Sequence, residues 1–575
     1  MTAPEIPEAP ETPTLEVDAL HVSVPTARGV REIIADVSLT VGAGEALGLV
    51  GESGSGKSTT LRAVVGLLPR LATRSGLVKV LGTDIGGLAP AELRRFRGTR
   101  MAVVFQDPRA HINPLRTVGD FLVENLVDVQ QRTRSEAERT VAGVLREVGI
   151  GDAERRMRQK PYELSGGLLQ RVMIAAAIAT EPSLLLADEP TTALDVTTQQ
   201  EVMAILDEQR RARGLAMLFI SHDLDLADAV CDRIAVMKDG RIVEVLGADG
   251  LRQRAQHDYT RTLVEARPRL QTAVSARAST PASATSGDGD ADVPVLSVRD
   301  LRKVYRVRAA DGRGHEDLVA VDDVSFDLRP GGSLAIVGES GSGKSTTARM
   351  IVGLAQPTAG EMAVAGQPWP TGRLSSAERR RRGRLVQMVF QDPYASLDRR
   401  QTARDCLREA LDVQGVLPKA DRDRRVDELL AHVGLTAEQG RSRPRALSGG
   451  QRQRVAIARA LAADPAVLIL DEAVAALDVS VQAQVLEVLN RIRRELSVAL
   501  LFISHDLPVV QQISDDVLVM HGGRVIESGS VATTLASPQM DYTRELISAV
   551  PREGWVPRRR GNRTDPAALS SVEAP

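Results

Sequence analysis

The chain has 575 residues, 43% of them hydrophobic, and a formal net charge of −2 at pH 7. This length exceeds what one hydrophobic core usually organises, so we expect at least two domains. The near-neutral charge and the 2% of aromatic residues argue against nucleic acid as a partner, because such surfaces are typically basic or rich in stacking rings. The two cysteines, Cys231 and Cys406, lack the spacing of a zinc ribbon or an iron–sulfur site and are consistent with a reducing compartment.

The start of the chain and its apolar runs bear on location. No apolar run approaches the ~18 residues that a membrane-spanning helix needs. Residues 1–7 are rich in proline and glutamate, whereas a secretory signal would be basic and then apolar. The sequence therefore predicts a chain that stays in the cytoplasm.

The octapeptide Gly-Glu-Ser-Gly-Ser-Gly-Lys-Ser occurs twice, at 51–58 and at 338–345. Each copy follows a short apolar run that predicts a strand and precedes a helix-compatible segment, which is the context of a phosphate-binding loop (P-loop). Glycines are needed there because the backbone must curl around phosphates with its N–H groups pointing inward. We therefore predict two nucleotide sites. Their loop residues are Gly51, Ser53, Gly54, Gly56, Lys57, Ser58 and Thr59, and Gly338, Ser340, Gly341, Gly343, Lys344, Ser345 and Thr346.

Within each loop the lysine and the serine have separate predicted roles. Lys57 and Lys344 are expected to lie against the β- and γ-phosphates. The hydroxyl groups of Ser58 and Ser345 are expected to bind Mg²⁺.

Paired carboxylates follow two later apolar runs, 184–187 and 467–470. Two negative charges at the end of a buried strand are unfavourable unless a cation or a water network offsets them. We predict that Asp188 and Asp471 hold Mg²⁺ through its water shell. We predict that Glu189 and Glu472 polarise the water that attacks the γ-phosphate.

The sequence Leu-Ser-Gly-Gly, at 164–167 and 447–450, opens a helix-compatible run in each half. Ser165 and Ser448 are good N-cap residues, and glycines at a helix start leave amide groups exposed for an anion. Each helix could therefore hold a phosphate that another domain has bound. For such a motif on its own, an ordinary capped helix is the alternative.

All of these motifs recur in the same order at nearly constant separation, which indicates two complete homologous domains. We place the domains at residues 14–270 and 295–551. The segment 271–294, rich in Ala, Ser, Thr, Gly and Asp, is predicted to be a flexible linker. Residues 1–13 and 552–575 are predicted to be disordered tails.

The ordered and repeated set of motifs resembles the nucleotide-binding domains of ABC ATPases. The resemblance implies an α/β fold with two tandem P-loop NTPase domains. Each would have a RecA-like core, an antiparallel β subdomain and a helical signature subdomain. In that family two domains close head to tail, so that each ATP lies between the P-loop of one domain and the signature helix of the other.

The resemblance also implies roles for individual side chains. Those implied for catalysis contact the γ-phosphate or sense the attacking water: Glu189, Glu472, His222, His505, Gln106 and Gln391. The implied ligands of Mg²⁺ are Ser58, Gln106, Asp188, Ser345, Gln391 and Asp471. The residues implied to act across the dimer interface are Ser165, Gly166, Gly167, Ser448, Gly449, Gly450, Gln451, Asp195 and Asp478.

Finer motifs, among them Asp-Tyr-Thr-Arg at 258–261 and 541–544, resemble the oligopeptide/dipeptide/nickel import ATPases. That resemblance implies a fused pair of ATPase subunits that uses ATP and Mg²⁺ at the cytoplasmic face of the inner membrane to power uptake of a peptide or similar solute. Its implied partners are two integral-membrane permease subunits and an extracytoplasmic solute-binding protein. In that family the motif usually begins His-Pro-Tyr, where this chain has His257-Asp258-Tyr259 and Met540-Asp541-Tyr542.

Two further departures concern the nucleotide sites. The first signature has Leu168 where the family has glutamine, as the second keeps at Gln451. Tyr305 is a candidate for stacking on adenine, or an ordinary strand tyrosine, and Val24 stands opposite it in the first half.

Two other functions are alternatives. A soluble tandem ATPase acting on ribosomes or DNA is disfavoured because the linker is neither helical nor basic and zinc-binding cysteines are absent. A regulatory nucleotide-binding protein without turnover is disfavoured because both Glu189 and Glu472 are present.

Overall fold

A computed structural model describes residues 13–26, 29–192, 194–248, 250–266, 270, 293–308, 314–370, 372, 374–415, 417–475 and 477–559. The chain divides into two compact units. The first comprises residues 1–265 together with 551–575, and the second comprises residues 266–550. The predicted N-terminal tail and linker lie outside the described residues, except for residues 13, 293 and 294.

The first unit contains ten strands and eleven helices among its described residues. The strands are β1 (Leu15–Thr26), β2 (Gly29–Val41), β3 (Ala46–Val50), β4 (Thr73–Val80), β5 (Thr83–Asp84), β6 (Met101–Val104), β7 (Leu184–Asp188), β8 (Ala216–Ser221), β9 (Arg233–Lys238) and β10 (Arg241–Gly247). The helices are α1 (Lys57–Val65), α2 (Pro90–Arg100), α3 (Pro108–His111), α4 (Val118–Asp128), α5 (Arg134–Glu147), α6 (Ala153–Arg158), α7 (Gly166–Ala179), α8 (Val196–Arg213), α9 (Leu224–Val230), α10 (Leu251–Arg254) and α11 (Asp258–Ala266).

The second unit repeats this arrangement. Its strands are β11 (Leu296–Arg308), β12 (His315–Leu328), β13 (Ser333–Val337), β14 (Ala359–Val364), β15 (Gln367–Pro368), β16 (Val386–Val389), β17 (Val467–Asp471), β18 (Ala499–Ile503), β19 (Asp516–His521) and β20 (Arg524–Ser530). Its helices are α12 (Lys344–Ile351), α13 (Ser376–Leu385), α14 (Pro393–Ser396), α15 (Ala403–Gln414), α16 (Lys419–His432), α17 (Ala437–Gly440), α18 (Gly449–Leu461), α19 (Val479–Leu496), α20 (Leu507–Ile513), α21 (Val531–Ala536) and α22 (Asp541–Ser548).

Each unit has one antiparallel sheet and one largely parallel sheet. In the first unit their strand orders are β2-β1-β4-β5 and β10-β9-β3-β8-β7-β6, and in the second they are β12-β11-β14-β15 and β16-β17-β18-β13-β19-β20. In the larger sheets only the edge strands β10 and β20 run antiparallel to their neighbours. The α/β fold with an antiparallel β subdomain is therefore confirmed in both halves.

The central strand β3 is buried at every position, as expected for a parallel strand covered on both faces. Its side chains alternate between two apolar clusters. Leu47 and Leu49 pack with residues of the antiparallel sheet, whereas Ala46 and Val50 pack with residues of the helices α4, α5 and α7. The larger sheet is thus the shared wall between the β subdomain and the helical subdomain.

The parallel register aligns the carboxyl ends of the strands. Val50 pairs with Ser221, and Asp188 pairs with Ile220. The segments that follow β3, β7 and β8 therefore begin at one edge of the sheet, where ligands bind in open α/β folds. These segments carry the P-loop, the paired carboxylates and the histidine motif.

The last described residues, 551–559, belong to the first unit. Trp555 is only 6% exposed and packs in the apolar cluster that contains the helices of this unit. Arg559 donates to the carbonyl oxygen of Glu147 (2.7 Å) and pairs with Glu208 (2.6 Å). The prediction of a disordered tail from residue 552 is therefore wrong for 552–559, because the apolar area of one tryptophan and the bonds of one arginine fix the segment. We call residues 551–559 the C-terminal segment.

Candidate nucleotide site

The first P-loop connects β3 to α1 with a backbone that only glycine accommodates easily. Gly51 has φ +154°, and a Cβ atom there would lie 2.2 Å from the carbonyl oxygen of Met237. Gly54 has φ +84° with open space around it, so its glycine is required by conformation rather than by crowding. α1 begins at Lys57, within the last residues of the loop, so the glycines of the loop lie at the positive end of a helix dipole. This cradle suits a polyphosphate.

The P-loop lysines reach back across their own loops. Lys57 Nζ donates to the carbonyl oxygens of Gly51 (2.7 Å) and Glu52 (2.9 Å). In the second unit Lys344 Nζ donates to Gly338 (2.8 Å) and to Glu339 (2.7 Å). Both lysine side chains are buried, and their contact with the β- and γ-phosphates stays a prediction.

A serine–aspartate pair lies at the base of each loop. Ser58 Oγ donates to Asp188 Oδ1 at 2.9 Å, and Ser345 Oγ donates to Asp471 Oδ1 at 2.9 Å. Burial raises the pKa of Asp188 and of Asp471; the serine bonds oppose this, and the neighbouring glutamates raise the pKa further. A buried carboxylate with this bias is stabilised by a cation, and hydroxyl and carboxylate oxygens are suitable ligands for Mg²⁺.

Within the described part of the chain, no three His, Cys, Asp or Glu side chains converge as a complete metal site. Mg²⁺ bound at these pairs would therefore take the rest of its ligands from phosphate and water, as is usual for this ion.

Glu189 is the centre of a polar cluster in the first unit. Its Oε2 atom accepts from Gln106 Nε2 (2.9 Å) and from Thr192 Oγ1 (3.0 Å), and it lies 3.3 Å from His222 Nδ1. Its backbone has φ +47°, a strained conformation for a non-glycine residue. The fold thus brings together the glutamine, glutamate and histidine that were assigned to catalysis from three separate motifs.

The second unit has the same cluster with one difference. Glu472 has φ +49°; its Oε2 accepts from Gln391 Nε2 (2.6 Å), and its Oε1 lies 3.4 Å from His505 Nδ1. The position that corresponds to Thr192 is Ala475, which has no hydroxyl group to donate. The hydroxyl of Thr192 is a contact that sequence reasoning did not single out.

Histidine and glutamate shift each other's pKa. Burial alone would raise the pKa of Glu189, but the bond and charge of His222 lower it below its ordinary value. Burial alone would lower the pKa of His222, but the bond and charge of Glu189 raise it above its ordinary value. The pKa of His505 is raised by Glu472 in the same way. Glu189 is therefore held ionised, as a residue that polarises water must be.

The signature serines cap their helices. Ser165 Oγ accepts from Leu168 N (3.4 Å) at the start of α7. Ser448 Oγ accepts from Gln451 N (3.3 Å), and Gln451 Oε1 in return accepts from Ser448 N (2.9 Å). The second signature therefore has a complete capping box. Leu168 has no polar atom for the return bond, so the first signature has only half of it.

Three other assigned residues, and Val24 opposite one of them, have ordinary structural contacts within their own units. Asp195 and Asp478 cap α8 and α19, accepting from backbone N–H groups at 2.9 and 3.1 Å. Tyr305 is half-buried on β11, with Lys303 Nζ 4.8 Å from its ring centroid. Val24 lies on β1, where it pairs with Arg31. The roles of these residues at a dimer interface or on adenine stay predictions.

Sequence reasoning missed two tyrosines beside the P-loops. Tyr259 Oη accepts from the backbone N–H of Glu52 (3.1 Å), and Tyr542 Oη accepts from that of Glu339 (3.0 Å). The only signal was the repeated Asp-Tyr-Thr-Arg motif, which had been used to identify a subfamily and had not been given a structural role.

Comparisons with known proteins give matches in both halves of the chain. Both halves match the family model described as ABC transporter, at residues 34–192 and 321–475. Over 561 residues the chain is 39% identical to the glutathione import ATP-binding protein GsiA of Shigella sonnei and of Escherichia coli K12, covering 93% of this chain and 89% of each relative. Among solved structures, it is 30% identical to cbiO1 from Clostridium perfringens, part of the ABC transporter complex cbiONQ. That match has a TM-score of 0.38 and covers 42% of this chain and 91% of that chain.

Among the described residues, no helix combines the length and the apolar character that crossing a membrane requires.

Proposed function

This chain belongs to the ABC transporter family, and on that premise we propose that it is the ATP-hydrolysing subunit that powers import of a peptide or a similarly small solute. The main support for ATP hydrolysis is a polar cluster that occurs in both halves. Its members are Gln106, Glu189 and His222 in the first half and Gln391, Glu472 and His505 in the second. Both halves hold the side chains for hydrolysis, which disfavours a purely regulatory nucleotide-binding role.

The solute class rests on the named relatives. They are import proteins for glutathione, which is itself a tripeptide, and the match extends over both halves of this chain. The Asp-Tyr-Thr-Arg motifs, which resemble those of oligopeptide and dipeptide importers, support the same class.

In the first half, Lys57 binds the β- and γ-phosphates when ATP enters the loop. Glu189 accepts a hydrogen bond from the attacking water and so raises its nucleophilicity. Gln106 donates to Glu189, and His222 fixes it from another side. Ser58 and Asp188 would hold Mg²⁺, and its charge would offset that of the phosphates.

The two halves act as an intramolecular head-to-tail pair. In the closed state, Ser448 and the glycines after it complete the site of Lys57, and Ser165 and its glycines complete the site of Lys344. The fit is supported by Gly166, where an added Cβ would meet nothing within 4 Å, so that this helix start is open for an incoming phosphate.

The partners are two permease subunits and an extracytoplasmic solute-binding protein, with this chain peripheral at the cytoplasmic face of the inner membrane. A groove of about 440 Å³ in the first unit supports a permease contact. It is lined by Phe105, His111 and Phe121, among others, and the stacked rings of Phe105 and His111 (3.9 Å between centroids) form part of its wall. Phe105 immediately precedes Gln106 in the chain. A permease helix bound in this groove would therefore contact the residue next to the proposed catalytic cluster.

Reconstitution in lipid vesicles tests the proposal. The chain is combined with the permease subunits and the solute-binding protein, and both ATPase rate and uptake of labelled peptide are measured. We expect peptide-loaded binding protein to stimulate hydrolysis and the empty binding protein, as the matched control, to stimulate it less. ATP hydrolysis that is independent of solute, combined with tight binding to ribosomes, would instead support the soluble tandem ATPase.

A further inference from the structure

The two tyrosines of the Asp-Tyr-Thr-Arg motifs contact the first peptide group of each P-loop. Tyr259 is 7% exposed and its ring belongs to the apolar cluster of the helical side of the first unit. Its hydroxyl oxygen accepts a hydrogen bond from Glu52 N at 3.1 Å. A buried aromatic ring has little freedom to move, so this oxygen is a fixed acceptor.

The same peptide group is held at its other end by the P-loop lysine. The peptide between Gly51 and Glu52 presents its oxygen to Lys57 Nζ (2.7 Å) and its N–H to Tyr259. An ammonium group on a flexible stem can leave a carbonyl oxygen for a phosphate, whereas a hydroxyl on a packed ring stays in place. When Lys57 turns to the nucleotide, Tyr259 is the contact that keeps this peptide in its orientation.

The second unit repeats this arrangement. The oxygen of Gly338 accepts from Lys344 Nζ at 2.8 Å, and the N–H of Glu339 donates to Tyr542 Oη at 3.0 Å. The ring of Tyr542 lies 4.2 Å from that of His521, between centroids. Because the two units carry independent copies of the contact, it is a property of the motif rather than of one local environment.

Hydrogen bonds and an ion pair hold the Asp-Tyr-Thr-Arg motif, and with it the tyrosine, in place. In the first unit the carboxylate of Glu244, on β10, accepts from the backbone N–H groups of Gln256 (2.8 Å) and His257 (3.3 Å), just before α11. Arg261 Nη1 donates to the carbonyl oxygen of Gln256 (2.6 Å) and pairs with Asp258. These bonds tie the first turn of α11 to the edge strand β10 of the larger sheet.

The second unit has the corresponding anchor. Glu527, on β20, accepts from the N–H groups of Gln539 (2.8 Å) and Met540 (3.2 Å). Arg544 donates to the carbonyl oxygen of Gln539 (2.8 Å) and pairs with Asp541. The motif therefore consists of an aspartate and an arginine that hold a helix turn and a tyrosine that this turn directs at the P-loop.

We propose that Tyr259 and Tyr542 are positioning residues for ATP, each holding the first peptide of its P-loop in the orientation that receives the phosphates. The inference rests on ATP binding by the P-loops and not on the identity of the solute. It assigns to the closing motif of each half a role in nucleotide affinity.

The test compares Tyr259→Phe and Tyr542→Phe in the full chain, since each removes one hydroxyl and keeps the ring. Affinity for a non-hydrolysable ATP analogue is measured by calorimetry, and KM and kcat for ATP are measured separately. We expect each variant to raise Kd and KM by about threefold to tenfold, the effect of one lost hydrogen bond, with kcat changed by less than about twofold. Tyr162→Phe is the control, because its side chain is 73% exposed.

Glu244→Gln is a second variant, with its tyrosine intact. It weakens the anchor of α11, and we expect a smaller rise in KM in the same direction. The proposal is overturned if both phenylalanine variants keep the original Kd and KM while their melting temperature falls, since that result identifies the hydroxyls as packing contacts only. It is also overturned if kcat falls while Kd is unchanged.

Discussion

The imidazole Nδ1 of His222 lies 3.3 Å from Oε2 of Glu189, and the histidine pKa lies above its ordinary value although burial alone would lower it. The ion pair between protonated His222 and ionised Glu189 is therefore lost as pH rises through the raised pKa of His222. It is also lost as pH falls through the lowered pKa of Glu189. We expect Glu189→Gln to bring the pKa of His222 down, below its ordinary value, because burial stays while the carboxylate charge is removed.

Titration of the histidine ring signals by NMR checks this expectation. Glu472→Gln is the matched control, since it should shift His505 and leave His222 unchanged. A His222 pKa that stays raised in Glu189→Gln would contradict the assignment of its shift to Glu189.

Each glutamate that we propose as catalytic should be needed for turnover. We expect Glu189→Gln and Glu472→Gln, made singly, each to reduce the ATPase rate by about 10²-fold, within the range for general base catalysis, while ATP binding is retained. The reason is that the amide keeps a hydrogen bond with Gln106 or Gln391 but polarises water poorly. Steady-state ATPase assays and nucleotide binding measure both quantities. If one single variant turns over at the original rate, that site is regulatory.

Leucine and glutamine at the corresponding positions 168 and 451 of the two signature helices can be exchanged to measure the contribution of the capping box to stability. Leu168→Gln supplies the side-chain acceptor that Ser165 N lacks, and we expect it to stabilise the first unit by about 0.5–1 kcal/mol. Gln451→Leu removes the bond to Ser448 N that the second unit has at 2.9 Å and should cost a similar amount. Calorimetric unfolding of the two variants compares them directly. Equal stability of both variants and the parent would show that the half-formed cap has no energetic effect.

Asp228 should make the first unit less stable as pH rises. Burial raises its pKa to about 6; the backbone N–H of Leu251 opposes this, and the charges of Asp225 and Glu553 raise the pKa further. Its Oδ1 atom is buried without a hydrogen-bond partner. Because the folded state favours the protonated form, stability from this group is present below the ordinary pKa and is lost as pH rises through about 6.

We therefore expect Asp228→Asn to stabilise the first unit at pH 8 by about 1–2 kcal/mol, less than the full shift implies because the group is partly exposed, and to have little effect at pH 4. Fluorescence of Trp555 in a Trp369→Phe chain follows this unit, since these are the only two tryptophans. Asp225→Asn should instead destabilise the first unit, because it removes the ion pair between Asp225 and Arg252 (2.7 Å). A pH-independent effect of Asp228→Asn would refute the titration.

Trp555 should contribute strongly to the stability of the first unit. We expect Trp555→Ala to lower its free energy of unfolding by about 3–5 kcal/mol, the usual range for truncating a buried aromatic residue. Val556→Ala is the control, because that side chain is 63% exposed and should change stability by less than about 0.5 kcal/mol. Circular dichroism and calorimetry measure both variants. Equal stability of the two would mean that the C-terminal segment is dispensable.

The sequence predicted the parts of the fold that local patterns encode. The apolar run before the first P-loop forms β3, Ala46–Val50. The helix predicted at the first Leu-Ser-Gly-Gly motif is α7, which begins at Gly166. The resemblance named the glutamine, glutamate and histidine of each cluster, and each of them follows a strand whose carboxyl end lies at one edge of the sheet. Their role in catalysis stays a prediction. The strained backbone of Glu189 was not predicted, because a positive φ at a glutamate has no local signature.

Long-range contacts account for the rest. The partner of Tyr259 is a backbone N–H group 207 residues away, and backbone atoms carry no sequence signal. Trp555 was overlooked because its neighbours are charged or proline-rich and because its packing partners are far earlier in the chain.

The C-terminal segment also has a consequence for how the protein is made. Residues 551–559 complete the core of the first unit, yet the ribosome reaches them only after all of 266–550. At roughly 5–20 residues per second, the nascent first unit waits roughly 15–60 s with the apolar site of Trp555 uncovered. The core of the first unit therefore cannot be completed until the second unit has been synthesised.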